Sequence, residues 1–148
     1  ILLFFSGGNY VYNGTKAGLR DMRNWNNAKE AMTRWQKSGD VTDIPRIVFG
    51  DNVSNGSAIV SSQNVEKGDF IKGRNIALGY SLPKTMTDRL GINSIRFYGA
   101  VQNAFTITSY TGFDPETSTN GNSNGSPSVD RNSVPQARTI LFGVNVGF

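Results

Sequence analysis

The chain has 148 residues, with 15 Lys and Arg against 11 Asp and Glu, 17 Gly, 5 Pro, and neither Cys nor His. Without Cys there is no disulfide framework, thiolate metal site or thiol nucleophile, and without His there is no imidazole base, His-based triad or zinc site. The net charge of +4 is spread along the chain with no Lys/Arg cluster of the kind that tracks phosphates, so nucleic acid is not an expected partner.

The longest apolar run, Ile1 to Phe5, is far short of the roughly 18 residues of a spanning helix. No basic segment precedes it and no small-residue cleavage site follows, so it is not read as a signal peptide. An Ile opening the chain inside an apolar run reads as a segment cut from a longer protein.

In chain order, a first strand is predicted over about 1–12, with its faces unassigned because Ile1 to Phe5 is continuous. A long connection, 13–68, follows. Within it Leu19, Met22, Trp25, Ala28, Met32 and Trp35 recur at three- and four-residue spacing, which predicts a short amphipathic helix. The next strand, 69–82, places Ile76, Leu78, Tyr80 and Leu82 on one face, continued by Phe70, Lys72 and Arg74. Its other face carries Ile71, Gly73, Asn75, Ala77, Gly79 and Ser81.

Residues 83–93 are a short connection of one or two helical turns. Pro83 suits its start, Met86 and Leu90 stand four apart, and Gly91 suits its stop. Over 94–108 the apolar set is Ile95, Phe97, Gly99, Val101, Asn103, Phe105 and Ile107. Asn103 interrupts it, which predicts a bulge or a position at a membrane edge. A second long connection, 109–136, has Asn120–Gly125 at its centre. The last strand, 137–148, alternates Ile140, Phe142, Val144, Val146 and Phe148 with Thr139, Leu141, Gly143, Asn145 and Gly147.

A soluble β-sandwich also alternates. Two features favour an antiparallel transmembrane β-barrel of the outer-membrane type. The strands reach a dozen residues or more, against a mode of roughly five or six in globular proteins. The face opposite the apolar one is rich in Gly, Ala, Ser, Asn and Thr, where a soluble sheet carries Lys and Glu. Short and long connections also alternate, as in such barrels.

A series of motifs then resembles a family. Gly68-Asp-Phe-Ile-Lys-Gly-Arg-Asn-Ile-Ala-Leu-Gly-Tyr-Ser-Leu-Pro83 is similar to the strand-and-turn signature near the C-terminus of SusC/RagA-type TonB-dependent outer-membrane transporters. So are Leu90-Gly-Ile-Asn-Ser-Ile-Arg-Phe-Tyr98, Gln102-Asn-Ala-Phe-Thr106, Tyr110-Thr-Gly-Phe-Asp-Pro-Glu116, Val134-Pro-Gln-Ala-Arg-Thr139 and the closing Phe142-Gly-Val-Asn-Val-Gly-Phe148. Upstream, Arg34-Trp-Gln36, Gly39-Asp40 and Thr42-Asp-Ile-Pro-Arg46 resemble an outer loop of the family.

The resemblance implies the last four or so strands of a plugged barrel of roughly 22 strands. Four strands cannot close a barrel, so the remaining barrel and the plug are expected on another segment. The resemblance further implies a Gram-negative outer-membrane location and import of glycan or peptide fragments. It implies a SusD-like surface lipoprotein as partner, and TonB acting through the absent N-terminal part. Lipid and lipopolysaccharide are expected around the barrel, with Lys72, Arg74 and Arg138 at the outer strand ends. Other readings are a porin or adhesin barrel, or a soluble carbohydrate-binding β-sandwich.

No carboxylate pair, Ser-Lys pair or phosphate loop stands out, so neither an enzyme nor a cofactor is expected. Asp114, Glu116 and Asp130, with the Asn-Gly stretch, carry oxygen ligands for Ca²⁺ but read first as turn formers. Trp25 and Trp35 read as packing residues, with partner or ligand contact as the alternative; Asp114 and Glu116 join them as candidate outer-loop contacts. Tyr80, Phe97 and Phe148 are expected in an aromatic girdle. Ile140, Phe142, Val144, Val146 and Phe148 are expected to form the terminal signal for outer-membrane assembly. Sequons stand at Asn13, Asn52, Asn55 and Asn124 and read as loop composition.

Overall fold

Long alternating segments give this chain its principal element, a four-stranded antiparallel sheet in the order Leu2–Ser6, Phe70–Ser81, Ser94–Thr108, Thr139–Gly147. The structure is a computed structural model and describes residues 1–23, 26–46, 59–116, 118–119, 125 and 127–148. The chain divides into two units: Ile1–Gly7, Asp69–Ser109 and Pro135–Phe148 in the first, Gly8–Gly68 and Tyr110–Val134 in the second.

In the first unit β1 is Leu2–Ser6, β4 Phe70–Ser81, β5 Ser94–Thr108 and β7 Thr139–Gly147. Between β4 and β5 the helix α2, Lys84–Thr87, runs into a 3₁₀ turn at Asp88–Leu90. Pro83 stands in front of it as the cap, and Gly91, at φ 67°, closes it in the left-handed region that glycine tolerates.

Along β4 and β5, Ile76 faces Val101 and Tyr80 faces Phe97. The ladder then slips. Asn75 faces Gln102 but Gly73 faces Phe105, so Arg74 stands against two residues, Asn103 and Ala104. Asn103 has φ 51°, a conformation that Asn adopts more readily than other non-glycine residues. This is the expected bulge, and it changes the facing of everything after it. Phe105 and Ile107 pair with Gly73 and Ile71, so they lie on the opposite side from Ile95, Phe97 and Val101. The single apolar set read over 95–107 is therefore corrected to end at Val101.

The second unit holds a small sheet, β3-β2-β6. Its strands are β2 Tyr10–Asn13, β3 Val65–Lys67 and β6 Val129–Asp130. β2 pairs antiparallel with β3 and parallel with β6. The two long connections are thus partly strand and meet in one sheet. The strand expected over 1–12 is likewise two strands in two units. Gly8, at φ 81°, lies between them and cannot continue an extended run.

The helix α1, Gly14–Arg20, starts directly after β2, with the Asn13 side chain accepting the Lys16 amide at 2.9 Å. It stops at Arg20. Asn27 donates to the carbonyls of Leu19 and Asp21, and Arg23 turns back onto Asp21. The chain resumes as a 3₁₀ turn at Lys29–Thr33. The amphipathic helix expected through Leu19, Met22, Ala28, Met32 and Trp35 is therefore corrected to two short pieces. These local side-chain bonds compete with helix propagation at Asp21 and Asn27.

Candidate functional site

The sheet of the first unit has two unlike faces. On one, Ile76, Leu78 and Tyr80 of β4 lie beside Ile95, Phe97, Gly99 and Val101 of β5, and these lie beside Ile140, Phe142, Val144 and Val146 of β7. This face is open: Leu78 is 81% and Phe142 86% exposed. On the other face Asn75, Ala77 and Gly79 lie beside Arg96, Tyr98, Ala100 and Gln102, then Thr139, Leu141, Gly143 and Asn145. Each glycine there takes a large neighbour. Arg96 crosses Gly79, and the Tyr98 ring lies across Gly143 in the space a Cβ would need.

Such a sheet turns its apolar side chains outward: Phe70 is the one buried large hydrophobic residue among its described positions. An uncovered apolar surface of this extent marks an interaction surface. Tyr80 and Phe97 face each other directly at one end of it. Phe148 lies just past the end of β7 and is 89% exposed. Towards the other end Arg74 packs over Phe4 and Lys72 over Phe70, with Phe4 and Phe70 in tilted contact at 5.7 Å. Lys72 is buried, at 4% exposure. Its expected place at a lipid-exposed strand end is corrected, because its ammonium lies over the Phe70 ring, 5.5 Å from the centroid.

The second unit carries a polar centre. Glu66 on β3 accepts the Lys16 ammonium at 2.8 Å and both the amide and the hydroxyl of Thr111 at 2.8 Å. Burial pushes the Glu66 carboxyl up, but the bonds from Lys16 and Thr111 outweigh it and hold it below the usual carboxylate range. Tyr110, itself buried, donates its phenol hydrogen to Asp130 at 2.7 Å. Asp130 also accepts the Ser133 amide at 3.1 Å. Burial and the adjoining Asp130 push the Tyr110 phenol well above its ordinary value. Arg20 grips Glu30 through two bonds of 2.8 and 3.0 Å, which lowers the Glu30 carboxyl. Glu66, Tyr110 and Asp130 lie 44 and 20 residues apart along the chain, and no local motif marks them as partners.

Of the other site residues, Asp114 is buried and accepts the Glu116 amide at 3.0 Å, a turn at Asp-Pro. Trp35 is half-buried and donates its backbone amide to Ile44. Asn13, a sequon residue, is 2% exposed and caps α1. Trp25, Asn52, Asn55, Asn124 and most of Asn120–Gly125 lie outside the described residues. Among the described residues no group of acidic side chains is placed to hold a metal ion.

No family model matches the chain. It is 34% identical over 115 residues to TonB-dependent receptor P39 of Formosa agariphila, covering 77% of this chain and 11% of the relative. It is 36% identical over 92 residues to TonB-dependent receptor SusC of Bacteroides thetaiotaomicron, covering 60% of this chain and 8% of the relative. The chain belongs to the SusC/RagA family of TonB-dependent receptors. Its fold agrees with that of the RagAB peptide importer in the closed-closed state, at a TM-score of 0.78 and 22% identity, over 99% of this chain and 15% of that one. The chain thus spans about an eighth or less of the length of these two curated receptors.

Proposed function

We propose that this chain is a C-terminal segment of an outer-membrane barrel that imports nutrient oligomers, glycans or peptides, by a TonB-dependent route. One observation carries the reading: an uninterrupted, exposed apolar face across β4, β5 and β7, backed by a face of small and polar residues. Lipid takes the first face and the lumen the second, as alternation in membrane barrels requires. The work is then binding and gated passage. The remaining strands, the plug and the TonB contact belong to other parts of the protein.

In this reading β7 ends on the periplasmic side, so residues 83–93 turn there and the connections 13–68 and 109–136 lie outside. A SusD-like lipoprotein seats on those connections, with Trp25, Trp35, Asp114 and Glu116 among the candidate contacts. Tyr80, Phe97 and Phe148 stand in the inner aromatic girdle. Ile140, Phe142, Val144, Val146 and Phe148 form the assembly signal, an alternating edge that adds to another sheet through its main chain.

The test is uptake of a labelled oligomer by cells carrying the full-length receptor, with and without TonB and with and without the lipoprotein. Uptake is expected to require both. Uptake that persists without TonB would mark a passive porin and overturn the proposal.

A further inference from the structure

The second unit holds a cavity of about 640 Å³ between α1, the turn Asp21–Arg23 and the turn that follows β6. That size lies within the roughly 300–1,000 Å³ of small-molecule sites. Arg131 and Asn132 line it from the turn after β6. Their backbone is fixed: the Arg131 amide donates to the Thr119 hydroxyl at 2.6 Å, and the Asn132 amide, at a left-handed φ of 56°, donates to the Thr15 hydroxyl of α1 at 2.7 Å. Gly14 lets this turn approach the helix, because a Cβ there would stand 2.9 Å from the Asp130 carbonyl oxygen. The charges of the wall do not cancel. Asp21 is taken up by Arg23, whose three bonds use most of the carboxylate's roughly four lone-pair sites. Among the described residues the Arg131 guanidinium has no acidic partner.

We propose that this cavity binds the carboxylate-bearing sugar units of an acidic glycan, a uronate oligomer, with Arg131 on the carboxylate. The proposal deepens the import reading and rests on it for the outward placing of the second unit. Three features point to this occupant. A guanidinium bonds a carboxylate through two parallel donors, and Arg131 is the uncompensated charge of the wall. Asn26 and Asn132 line the same cavity with side-chain amides that both donate and accept, and no bond to a described residue occupies them. Sugar hydroxyls have the same double capacity. Finally, Tyr12 and Leu19 give the cavity apolar surface on which the C–H face of a sugar ring can lie. An acidic peptide fits less well, because an extended peptide draws its affinity from main-chain bonds to a sheet edge, whereas this wall is a helix and two turns.

The experiment measures binding of digalacturonate to the full-length receptor in detergent by calorimetry, with the neutral disaccharide galactobiose and with triglutamate as comparisons. The parent should bind digalacturonate about tenfold more tightly than galactobiose, the effect of one charge-assisted hydrogen bond. R131Q should bring the two disaccharides to within about twofold of each other. R131K should lie between, since an ammonium makes a single-point contact. Gly18 lines the cavity and a Cβ there meets nothing within 4 Å, so G18L should fill the space without straining the helix and lose both disaccharides. A parent with no preference for digalacturonate over galactobiose, or a preference that survives in R131Q, would overturn the site. Tighter binding of triglutamate would assign an acidic-peptide site and also overturn it. If R131Q does not assemble, G18L decides, and full binding by that variant would place the sugar elsewhere. These arms read binding alone, so uptake that proves independent of TonB would sink the import reading and leave this site standing.

Discussion

Phe105 lies over Gly73, with its Cε1 2.6 Å from where a Cβ on that residue would stand. The contact exists because the bulge at Asn103 turns Phe105 to the face that Gly73 occupies. Gly73→Ala should cost about 1–3 kcal/mol, the usual cost of overpacking. The pair Gly73→Ala/Phe105→Leu should recover most of it. Denaturation of the four proteins of this cycle tests the coupling. Equal losses in the single and double variants would show that the ring is not the obstacle.

Adjacent residues of β4 should respond oppositely to charge. Leu78→Arg near the middle of the apolar face should cost about 2–4 kcal/mol of stability in a bilayer, and Ala77→Arg much less. This segment has no Cys of its own, so a single cysteine placed at either of the two positions is its one thiol. A charged maleimide should reach position 77 and not 78. The reverse labelling would invert the assignment of the faces.

Acid should open the second unit. Glu66 is held below its ordinary value of 4.5, as are Glu30 and Asp21 through their arginine partners Arg20 and Arg23. The unfolded carboxyls therefore take up protons first as pH falls. Their stabilisation is complete above the ordinary carboxylate values and is lost as pH drops through the lower folded ones. Hydrogen exchange at the Thr111 amide, bonded to Glu66 at 2.8 Å, should accelerate in that window. Glu66→Gln should remove its share of the pH dependence. Protection of Thr111 that is unchanged on acidification would refute the assignment.

The Tyr110–Asp130 bond runs the other way with pH. The phenol is raised, so the folded unit keeps it protonated above its ordinary value of 10.0, and its stabilisation falls as pH climbs beyond that. Tyr110→Phe leaves one oxygen of the 1%-exposed Asp130 without its phenol donor, at a cost of about 1–3 kcal/mol. Ultraviolet titration should show one tyrosine ionising late in the parent and missing in the variant.

Deleting Phe148 should lower the amount of receptor assembled in the outer membrane far more than it weakens receptor that has inserted. The residue stands beyond β7 and is almost fully exposed, so little folded packing depends on it. Normal surface levels after the deletion would dismiss it as part of the assembly signal.

The strands that lie wholly in the sheet were legible because a period of two declares itself in Ile76–Leu78–Tyr80 and Ile140–Phe142–Val144–Val146. Even the bulge announced itself, through a polar Asn103 in an apolar row. What alternation cannot carry is its own reversal: one inserted residue moved Phe105 and Ile107 to the other face, and only the pairing with Gly73 and Ile71 reveals it. The second unit was illegible for a different reason. Glu66 meets Thr111 and Tyr110 meets Asp130 across long stretches of chain. Short turn-forming segments such as Val129–Asp130 carry no period to read.

The parallel pairing of β2 with β6 also bears on the order of folding. The Asn132 amide bonds to Thr15 across 117 residues, whereas Asn103 reaches Ala137 across 34. By loop-closure entropy alone the longer closure costs roughly 1 kcal/mol more, and it encloses all of β4 and β5. Those two strands are joined by a dozen residues and can zip locally. The second unit has to wait until they have been synthesised and gathered in. Its polar contacts then form late, and mutations at Glu66 or Asp130 should speed unfolding more than they slow folding.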